Sequence, residues 1–219
     1  MSAVRIGRRG LGLVLAGPPG GGKSSVVRAL LAREPELAVS VSATTRAARP
    51  GEQNGVDYHF LTDAEFADRR DAGAFLEWAR VLGRDCYGTP RAPVEAALAA
   101  GRDMVFDIDW QGYRSLHDAL PADVVGVFLL PPSLAALEQR LVRRAGDAPA
   151  EIARRMQLAR EEISHCNEFD HVVVNDDFER TVAEVGAVLH AARSRTPRLV
   201  GLGEFLAGLG SHGGLGAVR

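Results

Sequence analysis

Leu11-Gly12-Leu13-Val14-Leu15-Ala16-Gly17-Pro18-Pro19-Gly20-Gly21-Gly22-Lys23-Ser24-Ser25-Val26-Val27 is the stretch that decides the fold. Leu11–Ala16 is an apolar run suited to a buried strand, and Val26, Val27, Leu30 and Leu31 then recur at helical spacing. Between them, Gly17 to Ser24 fits G-x-x-x-x-G-K-[ST], a loop whose backbone N–H groups cradle phosphate at a helix N-terminus. Strand, glycine loop and helix in that order are the context this motif needs. Lys23 is the only lysine among 26 Lys and Arg residues. Its ammonium is a compact point charge that fits between adjacent phosphates, where the planar arginine fork would be too large.

Read this way, the backbone N–H groups from Gly20 to Ser24 face phosphate oxygens, with Ser25 continuing the turn. Lys23 reaches the β- and γ-phosphates, and the Ser24 hydroxyl is placed to ligate Mg²⁺. Pro18 and Pro19 have no N–H, so the donors come from later in the loop.

Working outward, strand-like runs recur at Leu37–Val41, Met104–Ile108, Val124–Leu130 and His171–Val174. Helical patterns fall at Ser24–Arg33, Pro93–Ala100, Leu134–Arg144, Ala150–Glu168 and Arg180–Arg193. This alternation predicts an α/β fold, a parallel sheet flanked by helices of the phosphate-loop type. Ligands in such sheets bind outside the carboxyl ends of the strands, where the loop and Asp107 both emerge.

Residues 42–90 break the alternation with polar, turn-rich sequence and short strand-like pieces, and they predict a small inserted α+β subdomain. Core segments are then 10–41, 91–135 and 165–195, with a helical lid over 136–164 and a flexible tail over 196–219. From 201 onward there are seven glycines and few anchoring side chains.

A chain of 219 residues can bury one substantial core, and a net charge of -2 argues against a generally basic nucleic-acid surface. Cys86 and Cys166 have no ligand-like spacing, so neither a zinc site nor a disulfide framework is indicated. No run approaches the length of a membrane span, and Arg5, Arg8, Arg9 and the apolar run after them do not make a signal peptide. The expectation is a cytoplasmic protein without membrane or nucleic-acid partners, and nothing chooses between monomer and homo-oligomer.

A second constellation is Ser42-Ala43-Thr44-Thr45-Arg46-Ala47-Ala48-Arg49-Pro50-Gly51-Glu52, followed by Tyr58. Two forked donors near a phenol suit a phosphate monoester, although the same spacing fits a solvated loop. Asp107 and Asp109, at the end of an apolar strand, could serve Mg²⁺-bound water and an acceptor, or cap the helical pattern that follows.

Those segments, with Asp57-Tyr58-His59-Phe60, Phe75-Leu76-Glu77-Trp78-Ala79, Tyr87-Gly88-Thr89, Asp107-Ile108-Asp109-Trp110-Gln111-Gly112 and Val174-Asn175-Asp176-Asp177, resemble guanylate kinases. They occur in the family's order and span roughly residues 10–195. The resemblance implies ATP:GMP phosphoryl transfer with Mg²⁺, ATP and GMP being the small-molecule partners. It makes 42–90 the GMP-binding subdomain.

It further implies that Arg46, Arg49, Tyr58 and Tyr87 hold the GMP phosphate, with Glu52 in the same segment. Glu77 would accept from guanine N1–H and the exocyclic amine, and Ser42 and Thr89 would donate to O6. Leu76-Glu77-Trp78 by itself reads as an edge strand with a solvated acid. Asp107 and Asp109 would divide the metal and acceptor roles. Arg140, Arg144 and Arg155 match lid arginines that meet the transferring group alongside Lys23 and Arg46, and Asn175 would approach adenine. The turn Arg144-Ala145-Gly146-Asp147 departs from the family's pattern.

The alternative from another class is a non-catalytic guanylate-kinase-like module that holds phosphorylated peptides. Such a module has no need of an intact phosphate loop, and here Gly17, Gly22, Lys23 and Ser24 are all present.

Overall fold

The computed structural model describes residues 6–81, 83–145 and 149–210. A two-residue strand β1 (Gly7–Arg8) leads to β2 (Gly12–Ala16), the glycine loop, α1 (Lys23–Arg33) and β3 (Leu37–Val39). The inserted segment contributes β4 (Ala43–Thr44), β5 (His59–Phe60), α2 (Asp63–Asp71), β6 (Phe75–Val81) and β7 (Asp85–Pro90). Then follow α3 (Arg91–Ala99), β8 (Asp103–Asp107), α4 (Trp110–Ala119), β9 (Val124–Leu130), α5 (Leu134–Ala145) and α6 (Pro149–Ser164). The chain closes with β10 (His171–Val174), α7 (Phe178–Arg193), β11 (Leu199–Val200) and α8 (Leu202–Gly210).

Five of these strands form one sheet in the order β10-β9-β2-β8-β3, and every pairing is parallel. The central strand β2 is buried on both faces, so its residues alternate between two cores. Leu11, Leu13 and Leu15 pack with Val26 and Leu30 of α1 and with Val182, Val185 and Leu189 of α7. Val14 and Ala16 point the other way, onto Val94 and Leu98 of α3 and Tyr113 and Leu116 of α4.

The inserted segment forms its own four-stranded sheet, β5-β4-β7-β6, over a small core of Ala43, Phe66, Phe75 and Cys86. Its helix α2 starts on a capping box, Thr62 accepting from Glu65 N while the Glu65 side chain answers Thr62 N. Helices α5 and α6 share a further cluster of Leu137, Leu141 and Ala159.

Ion pairs close the amino ends of the parallel strands, opposite the glycine loop. Asp103, fully buried at the start of β8, takes Arg8 at 2.5 and 2.8 Å and Arg193 at 2.7 Å. Arg9 makes two 2.8 Å bonds to Asp123 just before β9.

Two expectations change here. The stretch from 201 onward contains a helix, α8, and β11 before it pairs antiparallel with β1. Arg198, between α7 and β11, is buried and donates to Gly10 O at 2.9 Å. The apolar Leu202, Phe205, Leu206 and Leu209 outweigh the glycines there. Residues 211–219 lie outside the described residues. Trp78, on β6, is 45% exposed, under the Arg70 guanidinium at 5.3 Å. Helix α6 ends at Ser164, and a 3-10 turn over Cys166–Glu168 replaces its expected last turn.

Candidate active site

The loop from Gly17 to Gly22 is shaped by close approach. At Gly17 φ is +145°, and a Cβ there would come within 2.5 Å of Leu129 O. At Gly22 φ is +101°, and a Cβ would collide with Asn175 Nδ2. Both positions need glycine for conformation and for space. Lys23 and Ser24 open α1, so their N–H groups have no intrahelical acceptor and face outward with the positive end of the helix. Lys23 Nζ donates to Gly17 O across the loop. A cavity of about 230 Å³ lies over these residues, lined by Pro18, Pro19, Gly20, Gly22, Lys23, Ser24 and Ser25 and closed by Leu141 and Arg155.

Gly21 departs from the expected set of donors. Its N–H is engaged with Pro18 O at 2.8 Å, closing the turn that two prolines begin, while its carbonyl accepts from Asn175 Nδ2 at 2.7 Å.

Asn175 is also placed differently. It is buried, its Oδ1 accepts from Thr181 Oγ1 at 3.2 Å, and its backbone oxygen accepts from Arg140 at 2.8 Å. The side chain therefore braces the phosphate loop from below rather than reaching out to a base. Asn175→Ala should weaken ATP, GTP and inorganic tripolyphosphate by a similar factor, about fivefold to thirtyfold for a buried hydrogen bond of 1–2 kcal/mol. A loss confined to adenine nucleotides, measured by competition binding, would mean that Asn175 reads the base.

The two aspartates at and just beyond the end of β8 separate cleanly. Ser24 Oγ donates to Asp107 Oδ2 at 2.8 Å, which joins the exposed end of β8 to the start of α1. Asp109 is the N-cap of α4, its Oδ1 accepting from Gly112 N at 2.8 Å. The charge of Asp109 also falls on Glu77.

A second cavity, of about 410 Å³, runs from Ser24 and Arg28 on α1 and Asp107 at the end of β8 to Ser42, Asp57 and Tyr58 on the inserted segment. Beside it, Glu52 takes both ends of the Arg46 fork at 2.9 Å and the Arg49 N–H at 2.7 Å. Glu52 thus fixes the arginine loop, and its bond to Arg46 holds that guanidinium charged. Arg46 lies 5.3 Å over the Tyr58 ring, and Tyr58 meets Tyr87 edge-on at 6.0 Å. Arg49 points to solvent.

Glu77 sits on β6, an edge strand of the inserted sheet, yet it is only 8% exposed. A register shift between Phe75 and Glu77 breaks the in–out alternation, so Phe75, Leu76 and Glu77 are buried in succession. Burial pushes its carboxyl up to about 6, against a 2.5 Å hydrogen bond from Thr89 Oγ1 that favours the charged form. The Thr89 hydroxyl has one proton and gives it to Glu77, so it is not left to donate elsewhere. Of the two hydroxyls expected to donate to the base, Ser42 is the one that lines the cavity.

On the helical pair, Arg155 is held by Glu151 at 3.0 Å, and Arg154 pairs with the same carboxylate. The side chain of Arg144 and the turn at 146–148 lie outside the described residues. Two residues at the site were not foreseen. Arg28, one turn beyond Ser24, lines both cavities, and its spacing of four from Ser24 was the available signal. Glu162, on α6, is within electrostatic reach of Lys23, Asp107 and Asp109.

Comparison with known proteins finds similarity over nearly the whole chain. The guanylate kinase family model matches residues 9–192. A guanylate kinase of Gluconobacter oxydans (strain 621H) is 57% identical over 89% of this chain and 93% of its own. One of Granulibacter bethesdensis is 56% identical over 93% of this chain and 95% of its own. The crystal structure of guanylate kinase from Anaplasma phagocytophilum superposes with a TM-score of 0.75 at 35% identity, covering 92% of this chain and 96% of that one.

Proposed function

The chain belongs to the guanylate kinase family and transfers the γ-phosphoryl group of ATP to GMP, and on that premise we propose how its residues divide the work. The cavity that runs from Ser24 and Asp107 to Ser42 and Tyr58 carries the reading. Direct transfer needs donor and acceptor in one enclosed space, with attacking and leaving oxygens in line.

On the donor side, the loop N–H groups and Lys23 hold the β- and γ-phosphates of ATP. On the acceptor side, Arg46, Arg49, Tyr58 and Tyr87 hold the GMP phosphate, with Arg46 pre-aimed by Glu52. Glu77 accepts from guanine N1–H and the exocyclic amine, a donor pair adenine does not present, and Ser42 donates to O6. Arg140, Arg144 and Arg155 approach the transferring group, where fixed cations stabilise developing charge.

No strong base is required, because the second ionisation of a phosphate monoester lies near pH 6 and the acceptor is already largely ionised at neutral pH. Approach of the inserted sheet and the α5–α6 pair over the substrates excludes water, which would otherwise hydrolyse ATP.

Mg²⁺ fits between Ser24 and Asp107, whose hard oxygens stand 2.8 Å apart beside the loop. Among the described residues no three His, Cys, Asp or Glu side chains converge to hold an ion unaided, as expected for a metal that relies on waters and substrate phosphates. When bound, it neutralises charge on the β- and γ-oxygens. Among the described residues no helix is long and apolar enough to cross a membrane. The intact loop with Lys23 disfavours a non-catalytic module for phosphorylated peptides.

A coupled assay of ADP release across GMP, AMP, CMP and UMP tests the reading. GMP should exceed the others by about a hundredfold or more, because a buried carboxylate left unpaired rejects the wrong base. Equal rates with AMP would overturn the guanine assignment.

A further inference from the structure

Glu162 is a charged residue of the site to which the phosphoryl-transfer scheme above gives no task. It lies on α6 two turns after Arg155, so the two share a face of the helix. Arg155 lines the cavity over the phosphate loop, and Glu162, two turns on, lies within electrostatic reach of Lys23, Asp107 and Asp109. Among the described residues, Glu162 Oε2 is the one buried carboxylate oxygen without a hydrogen-bond partner. The charges bearing on it are Lys23, Asp109, Asp107 and the neighbouring Glu161. Burial pushes its carboxyl up to about 7, with Lys23 pulling it down and the three acids adding to the rise.

A buried acceptor without a donor carries an uncompensated desolvation cost. It persists more readily if a donor arrives in the working state. One of the three Lys23 N–H donors is held by Gly17 O, the others turn to the phosphates when ATP binds, and those phosphates bring no donor. The waters around a magnesium ion do: this ion keeps several of them, each a polarised O–H donor.

We propose that Glu162 is a positioning residue that accepts a hydrogen bond from a water of the Mg²⁺ shell, tying helix α6 to the metal. The proposal rests on placing Mg²⁺ at Ser24 and Asp107. Outer-shell partners of this kind orient the ligands and tune affinity without touching the ion. Seating the metal would then satisfy the orphaned oxygen and draw Arg155, on the same helix, toward the phosphates. Metal occupancy and the approach of the arginine become one event.

Calorimetric binding of ADP to the full chain, with Mg²⁺ and in EDTA, separates the metal from the nucleotide. For Glu162→Gln, affinity in EDTA should stay within about twofold of the parent. The gain that Mg²⁺ confers should fall by about tenfold, the lower end for losing an outer-shell partner. Electron paramagnetic resonance of free Mn²⁺ in the presence of ADP should show the same tenfold loss of ion affinity. Glutamine keeps the shape and removes a buried charge, and Glu162→Ala, checked by thermal melting, serves as the second variant.

Equal losses with and without metal would overturn the proposal, placing Glu162 on the nucleotide or the fold. So would an unchanged metal-dependent gain. Asp107→Asn is the reference: if it lowers the gain while both Glu162 variants do not, only the role of Glu162 fails. If Asp107→Asn leaves the gain intact, the metal placement itself is wrong and the proposal falls with it.

Discussion

Lys23→Met should lower kcat/KM for phosphoryl transfer by about a thousandfold or more while leaving the melting temperature nearly unchanged. Removing a single preorganised donor to developing charge commonly costs about a hundred- to a thousandfold, and cationic groups on a transferring phosphoryl reach higher. The ammonium is the only lysine of the chain, so no neighbouring side-chain amine substitutes for it. Lys23→Arg should not restore activity. Between Gly17 O and the first turn of α1 there is room for a point charge, and the guanidinium fork is wider and cannot rotate its donors independently. The same singularity permits a chemical test: acylation of amines at neutral pH should abolish activity, and bound ATP should protect. Full activity after complete modification of Lys23, confirmed by peptide mass mapping, would refute its role.

Lys23 was legible because its surroundings carry local information: an apolar run of strand length, a glycine loop, then helical periodicity. The parallel sheet follows from the same alternation, since strands separated by helices pair parallel and leave their carboxyl ends on one edge. The pairing of β1 with β11 was not legible, because two residues from each end of the chain offer no periodicity to read.

Local reading was weakest where burial depends on distant parts. Leu76-Glu77-Trp78 alternates like a solvated edge, and only the resemblance marked Glu77 as a base reader. The register shift of β6 against β7 turns the carboxylate inward and leaves Trp78 outside. Asn175 looked like a residue reaching for a ligand. Its buried position under Gly21 arises from the packing of β10 and α7 beneath the loop, which its own segment does not encode. Glu162 was hidden in a helix dense with charge, where an acid is ordinarily solvated. The spacing from Arg155 was its one local sign.

Glu77→Gln should reduce kcat/KM for GMP by about a hundred- to ten-thousandfold, the range for sites that match a substrate's donors with buried acceptors. Binding of ATP analogues should change little. Glutamine keeps one acceptor but presents an amine to a guanine edge that offers only donors there, so one bond is lost and one contact turns repulsive. Matched losses for GMP and ATP would mean that Glu77 serves the fold alone.

The pH dependence sharpens the test. Burial raises the Glu77 carboxyl to about 6, and the proposed guanine contact needs its charged form, which accepts from both base donors. Free enzyme therefore has to release a proton before GMP binds, and GMP affinity should fall about tenfold per pH unit below 6. Affinity should be insensitive to this group above pH 7. The GMP phosphate titrates in the same range, with a second pKa near 6. Glu77→Gln retains that phosphate step and loses the carboxyl step, so the ratio of parent to variant affinity isolates Glu77. That ratio should be flat above pH 7 and decline with unit slope in acid. A ratio that stays constant down to pH 5 would show that guanine does not require the ionised carboxylate, and base selection would then rest on Ser42 and the backbone.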